Sequence, residues 1–238
     1  MKQLKIGNLT AKVPIIQGGM GIGVSLSSLA GAVAKEGGIG VLSAAQIGYK
    51  EKDFLENPEK ANLRAIGKHI RRAREIAGGG IIGINIMAVT KNYAAYVKEA
   101  IANGIDLIIT GAGLPTELPA IAKGAATKLV PIVSPAKSAR VILKLWDRKH
   151  HTAPDALIVE GPKAGGHLGF KYDQLIDKDV NEKHEEDIKK ILEMVKPYEE
   201  KYKKEIPVIV AGGISSKEDM NHYMDMGAAG IQIADRKS

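Results

Sequence analysis

The 238-residue chain contains no cysteine. Disulfides, thiolate nucleophiles and cysteine-ligated metal clusters are therefore excluded, and the composition suits a reducing compartment. Aromatic residues amount to 4%, with two Phe and one Trp. An aromatic-rich β-sandwich is a poor match for so few rings. No apolar run approaches the roughly 18 to 20 residues of a membrane span, and the start Met1-Lys-Gln-Leu-Lys5 lacks the apolar core of a signal peptide. The expectation is a cytoplasmic protein with no membrane partner. Acidic residues are the minority sign, 27 against 34 Lys and Arg, for a net charge of +7. The basic residues are dispersed along helical stretches such as Lys178–Lys204, with no interleaved aromatics on which bases could stack. They read as solvated helix faces, with no nucleic-acid partner and some attraction for anionic small ligands.

Hydrophobic residues make up 45% of the chain, and there are 27 glycines. Short aliphatic runs alternate with longer amphipathic stretches, the pattern of repeated βα units with parallel strands. Strands are predicted at Val13–Gln17, Gly40–Ser43, Ile82–Met87, Leu107–Thr110, Leu129–Val133, Ala156–Val159, Val208–Ala211 and Gly230–Ile233. Helices are predicted at Leu26–Lys35, Pro58–Ala77, Tyr93–Ala102, Pro115–Lys123, Ala136–Trp146, Glu182–Lys203 and Lys217–Met226. Ser25 and Ser216 read as N-caps, and Gly37, Gly104 and Gly227 as helix stops. The expected fold is an α/β (β/α)₈ TIM barrel in one domain over residues 1–238, lacking its last helix. An open doubly wound sheet is disfavoured by the even spacing of the units and by glycine or polar residues at nearly every strand's C-terminal end. The segments after Ala45 and Gly166 are candidate lids.

Gly161-Pro-Lys-Ala-Gly-Gly-His-Leu-Gly-Phe170 follows the run Ala156–Glu160 and sets one histidine in a glycine-dense turn. Such loops carry barrel chemistry, so His167 is the candidate acid/base group. Gln17-Gly-Gly-Met20 follows the first strand; either its backbone lies against a flat ring or it is a tight βα connection. Its spacing is not that of a dinucleotide turn. Gly212 and Gly213 follow the seventh strand, and Gln232, Ile233 and Ala234 end the eighth, where backbone N–H groups often hold a phosphate. Asn85 interrupts an apolar strand and Glu160 ends one; each either satisfies local groups or offers hydrogen bonds to a ligand. His69, His150, His151, His184 and His222 read as surface residues, and no metal-binding or serine-nucleophile motif occurs.

Val13-Pro-Ile-Ile-Gln-Gly-Gly-Met20, Gly83-Ile-Asn-Ile-Met87, Glu160-Gly-Pro-Lys-Ala-Gly-Gly-His-Leu-Gly169 and Val210-Ala-Gly-Gly-Ile214 together resemble the nitronate monooxygenase family, formerly called 2-nitropropane dioxygenases, in order and spacing over residues 1–233. The same motifs occur in flavin-dependent enoyl-acyl-carrier-protein reductases. The resemblance implies an FMN-binding barrel acting on alkyl nitronates with dioxygen, or on enoyl thioesters with NAD(P)H. It implies that His167 is the catalytic base. It sets Asn85, Glu160, Gly165, Gly212 and Gln232, with their neighbours Gly166, Gly213 and Ile233, at FMN contacts, and Gln17, Gly18, Gly19 and Met20 beside the ring. Glu160 departs from members that carry glutamine. Ala234 and Asp235 stand where the family has Gly-Thr or Ala-Thr at the phosphate, and Asp235 would bring repulsion of about a few kcal/mol there if poorly solvated. The family's further C-terminal segment is missing after Ser238, so the expectation is a C-terminally truncated barrel, with exposed apolar surface favouring a homo-oligomer or a catalytically silent form.

Overall fold

In the computed structural model, eight parallel strands close into a barrel. Residues 2–167 and 169–234 are described. The barrel strands are β3 (Ile15–Gln17), β4 (Ile39–Ser43), β5 (Ile81–Asn85), β6 (Leu107–Thr110), β7 (Lys128–Val133), β8 (Leu157–Glu160), β9 (Val208–Ala211) and β10 (Gly230–Ile233). Neighbours follow chain order, and β10 closes on β3 with Gln232 opposite Ile16.

Strand alternation explains why this sequence closes. Successive side chains point to opposite faces, so each strand feeds two cores at once. Ile39 and Val41, Leu107 and Ile109, Ile158, Ile209 and Ala211 fill the barrel interior. Their chain neighbours Leu42, Ile108, Leu157, Val159, Val208 and Val210 pack outward under the helices. The helices are α1 (Ser27–Lys35), α2 (Pro58–Ala77), α3 (Tyr93–Ala102), α4 (Leu118–Ile121), α5 (Ala136–His150), α6 (Tyr172–Leu175), α7 (Val180–Tyr202) and α8 (Lys217–Asp225). In α2 the buried residues Asn62, Ile66, Ile70, Ala73 and Ala77 recur at three- and four-residue steps, Pro58 opens the helix and Gly78 closes it at φ 57.

Four features depart from the sequence pattern. A hairpin of β1 (Leu4–Ile6) and β2 (Leu9–Ala11) precedes the barrel, and Leu4, Ile6 and Ala11 join the interior core as a plug. Its three-residue strands are too short for alternation to stand out. The helix expected over Pro115–Lys123 narrows to α4, and the Pro115 carbonyl before it accepts from both the Leu118 N–H at 3.3 Å and the buried Trp146 Nε1 at 3.1 Å. The segment after Gly166 holds the single turn α6. Finally, Ser25 does not cap α1: Leu26 stands at that position, and Ser25 is buried with its hydroxyl turned to the β3 loop. Ser216 does cap α8, accepting from the Asp219 N–H at 3.0 Å. Among the described residues, no helix follows β10 and no helix is long and apolar enough to cross a membrane.

Candidate functional site

The inward parity that carries aliphatic side chains through the barrel changes character at the C-terminal strand ends. Val41 is followed at the same parity by Ser43, Gly83 by Asn85, Ile132 by Ser134, Ile158 by Glu160 and Gly230 by Gln232. A polar tier therefore lies above an apolar stack, at the end where barrels of this kind place their chemistry.

The loop after β3 lies over this tier and is held by its own residues. Gln17 donates from Nε2 to the Gly18 carbonyl and, at 2.8 Å, to Ser25 Oγ, while its Oε1 accepts from the Val41 N–H at 3.1 Å. The Met20 N–H donates to Ser25 Oγ at 2.8 Å. The Gln17 amide thus shapes Gly18–Met20 through its own hydrogen bonds. Glycine is required here for close approach: a Cβ on Gly19 would stand 2.5 Å from Asn85 Cβ, and one on Gly18 would stand 2.8 Å from Ala234 Cβ. A backbone without side chains over an inward-facing amide can lie flat against a planar group.

The β8 loop carries His167 to a cavity of about 440 Å³ whose lining includes the apolar Val89, Leu114 and Ile132 and the polar Ser134, Ser138, Glu160 and His167. Glycines set the path of the loop. A Cβ on Gly169 would collide with Ser134 Oγ, and one on Gly161 would fall 2.7 Å from His184 Nε2. At Gly165 and Gly166 the same test meets open space. Ser134 was missed by the motif reading, its signal being a polar residue at inward parity.

Glu160 is half-buried at the cavity wall, and burial raises its carboxyl to about 7. His184, read from sequence as a surface residue, is 4% exposed, and burial pushes its imidazole down. It lies on the covered face of α7 with Ile188, Ile191 and Val195. Neither of its ring nitrogens has a partner among the described residues. His69 and His150 are half-buried, bonded to Ser27 Oγ at 3.2 Å and to the Thr116 carbonyl at 2.8 Å.

Gln232 supplies the strongest sign of a missing partner. Its side chain is 8% exposed, and Oε1 is buried with no hydrogen bond among the described residues. Such an acceptor costs about 1–3 kcal/mol unless something donates to it. The Asn85 side chain also makes no hydrogen bond among the described residues, leaving donor and acceptor for a heterocycle.

The anion site expected at Gly212 and Gly213 is only partly built. Both glycines have positive φ, 103° and 72°, so their backbone takes a path that side chains resist. The N-terminus of α8 is already occupied: Asp219 Oδ2 accepts from the Ser215 and Ser216 N–H groups at 2.9 and 3.0 Å. A second cavity of about 340 Å³ beside Gly213 is lined by Glu185, Glu218 and Asp219 as well as Lys163 and His222. Three carboxylates disfavour an anion there. Ile233 is half-buried at the end of β10, its carbonyl accepting from the Gly18 N–H at 2.7 Å; Ala234 follows, and Asp235 lies outside the described residues.

The glycine cradle, the unpaired Gln232 acceptor and the open space at Gly165 and Gly166 fit a flat polar cofactor at the barrel mouth. A sequence model of the family described as nitronate monooxygenase matches residues 2–236. No curated protein matches the chain. Among solved structures, FabK from Thermotoga maritima is similar at 25% identity and TM-score 0.69, covering 94% of this chain and 58% of that one. A nitroalkane oxidase from Streptomyces ansochromogenes is similar in fold at 21% identity and TM-score 0.70, covering 94% of this chain and 65% of that one. This chain thus spans less than two thirds of either structure's length.

Proposed function

This chain belongs to the nitronate monooxygenase family, and on that premise we propose that it is a flavin-dependent oxidoreductase that binds FMN at the barrel mouth and oxidises alkyl nitronates with dioxygen. The observation that carries the reading is Gln232: a buried acceptor without a donor, in the same mouth as glycines whose bare backbone can face a ring. Bound FMN would supply the two-electron acceptor. The residues that would hold it are Gly18, Gly19 and Met20 beside the ring, Asn85 and Gln232 at its polar edge, and Gly165, Gly166, Gly212 and Gly213 along the remainder. With Ile233 and Ala234 they complete the candidate cofactor set, and Asp235 is its family-matched extension.

His167 does the proton chemistry in this reading. Its loop opens on the cavity, so its imidazole can take the α-proton of a neutral nitroalkane or orient a nitronate already formed. Ser134 and Ser138 offer hydroxyls to the nitro oxygens, while Val89, Leu114 and Ile132 receive the alkyl part. A His167→Ala variant is expected to keep its flavin bands and to lose about 10²- to 10⁴-fold in turnover of neutral nitroalkane, the range for a positioned base. Unchanged turnover would remove His167 from the role.

The apolar wall of the same cavity favours a second reading, enoyl-thioester reduction with NAD(P)H as donor, since Val89 and Leu114 are exposed where an acyl chain would enter. Anaerobic mixing distinguishes the two. Flavin bleached by NAD(P)H supports reduction, and flavin bleached only by alkyl nitronate supports oxidation. A purified chain that is colourless and takes up no FMN would instead make it a silent barrel.

A further inference from the structure

Gly161 opens the β8 loop with its N–H donated to the Ala211 carbonyl at 2.8 Å, and its own carbonyl accepts from the Ala164 N–H at 3.1 Å. That turn lies on the β9 loop, where a Cβ on Gly212 would stand 3.0 Å from the Ala164 nitrogen. Beyond it the loop runs without such ties: among the described residues, no hydrogen bond holds Gly165, Gly166 or His167. The placement of His167 at the cavity is therefore inherited from the turn at Gly161 and, on the far side, from the close fit of Gly169 against Ser134.

The turn itself is fixed by what stands behind it. The backbone at Gly161 is not left-handed, so its conformation would admit a side chain. Space forbids one: a Cβ there would stand 2.7 Å from His184 Nε2 and 3.0 Å from Cδ2. The imidazole occupies the place that a side chain at 161 would take. It is firmly seated, since His184 is 4% exposed and shares the covered face of α7 with Ile188, Ile191 and Val195, while the adjacent Glu185 bonds to His222 of α8 at 2.9 Å. Stability alone would choose another residue here. Two ring nitrogens buried without a partner among the described residues weaken the fold, where an aliphatic side chain would not.

We infer that His184 is a positioning residue for the proposed base: its ring, standing where Gly161 lacks a side chain, sets where the β8 loop leaves the barrel and so holds His167 at the cavity. The role rests on His167 acting as that base, and it makes Gly161 and His184 a matched pair in which bulk at one position excludes bulk at the other. Proton abstraction tolerates little error, because a misplacement of about 1 Å can cost about 10²-fold.

Two substrates separate positioning from general damage. Flavin-loaded protein is assayed with nitroethane, whose α-proton His167 must take, and with preformed ethyl nitronate, which has already lost it. His184→Ala is expected to lower the nitroethane rate relative to the nitronate rate by about 10- to 10²-fold, and Gly161→Ala to do the same by pushing the loop off the ring. Joined, the two changes should bring the ratio back toward that of the wild type, because the methyl group at 161 then enters the space the ring has left. His184→Leu, which keeps bulk and removes the partnerless nitrogens, should keep the ratio. Trypsin supplies a readout that needs no flavin: cleavage after Lys163 and Lys171, on either side of the glycine stretch, should be faster in each single Ala variant than in the wild type and slow again in the pair. Equal losses on both substrates, a double variant as impaired as the sum of its parts, or a His184→Leu that behaves like His184→Ala would each overturn the proposal. A wild type that binds no flavin would sink the oxidoreductase reading, and the order of the trypsin cleavage rates would still decide this one.

Discussion

At the N-terminal end of the barrel, Leu4, Ile6 and Ala11 from the hairpin meet Ile16, Ile39, Leu107 and Ile158, and the interior is closed with apolar side chains. At the C-terminal end, the same inward parity carries Ser43, Asn85, Ser134, Glu160 and Gln232, and a cavity of about 440 Å³ opens beside Glu160. One strand supplies both ends: Ile158 belongs to the plug and Glu160, two residues on, to the mouth. The lower end satisfies itself, whereas the upper end holds polar groups that are incomplete until something binds. Stability and function are thereby assigned to different layers of the same eight strands, and substitutions in the two layers should separate them.

The largest effect on stability is expected at the plug. Ile6 is fully buried, and Ile6→Ala should cost about 2–5 kcal/mol, the range for an aliphatic truncation that leaves a cavity. Chemical denaturation would measure it. The flavin spectrum of the remaining folded protein should be unchanged. A loss of flavin affinity without loss of stability would mean that the two ends are coupled after all.

An intermediate effect belongs to the mouth and appears through pH. Burial raises the carboxyl of Glu160 to about 7 in the folded chain, against an ordinary value of 4.5. Between these values the native state holds a proton that the unfolded chain has released. The stabilising contribution is therefore fully present below about pH 4.5 and is lost as pH rises through about 7. At about 1.4 kcal/mol per pKa unit the wild type should lose roughly 2–3 kcal/mol across this window relative to Glu160→Gln. Denaturation midpoints for the pair at about pH 5 and pH 8 would measure it, and parallel pH profiles would refute it.

The plug and the mouth also differ in how legible they were. Barrel strands could be read because aliphatic runs such as Leu157–Val159 and Val208–Ala211 recur between amphipathic helices, and their alternation sorts interior from exterior. The hairpin escaped because Leu4–Ile6 and Leu9–Ala11 are three residues each and acquire meaning only when the barrel floor covers them. At the mouth, His167, Asn85 and Glu160 were visible as chemistry-bearing residues at strand ends. Gln17 was visible too, but its commitment to Ser25 and Val41 is a tertiary fact that spacing cannot express. His184 was misread for a similar reason. It sits among Glu and Lys on α7 in sequence, yet it falls on that helix's covered face beside Gly161.

The smallest effect is the sharpest test of the contrast, because its sign should differ between the free and the loaded protein. Gln232 Oε1 is buried without a donor, an arrangement that weakens the unloaded fold. Gln232→Met keeps nearly the same length and removes the polar atoms, so the flavin-free protein should gain about 1–3 kcal/mol. The same change deletes the group offered to a ligand, so FMN affinity should fall by roughly tenfold or more, at 1.4 kcal/mol per factor of ten. A plug residue offers no such exchange, since Ile6 has only packing to lose. If Gln232→Met destabilises the flavin-free protein and leaves flavin affinity intact, Gln232 has a partner within the barrel, and the mouth is self-satisfied like the floor.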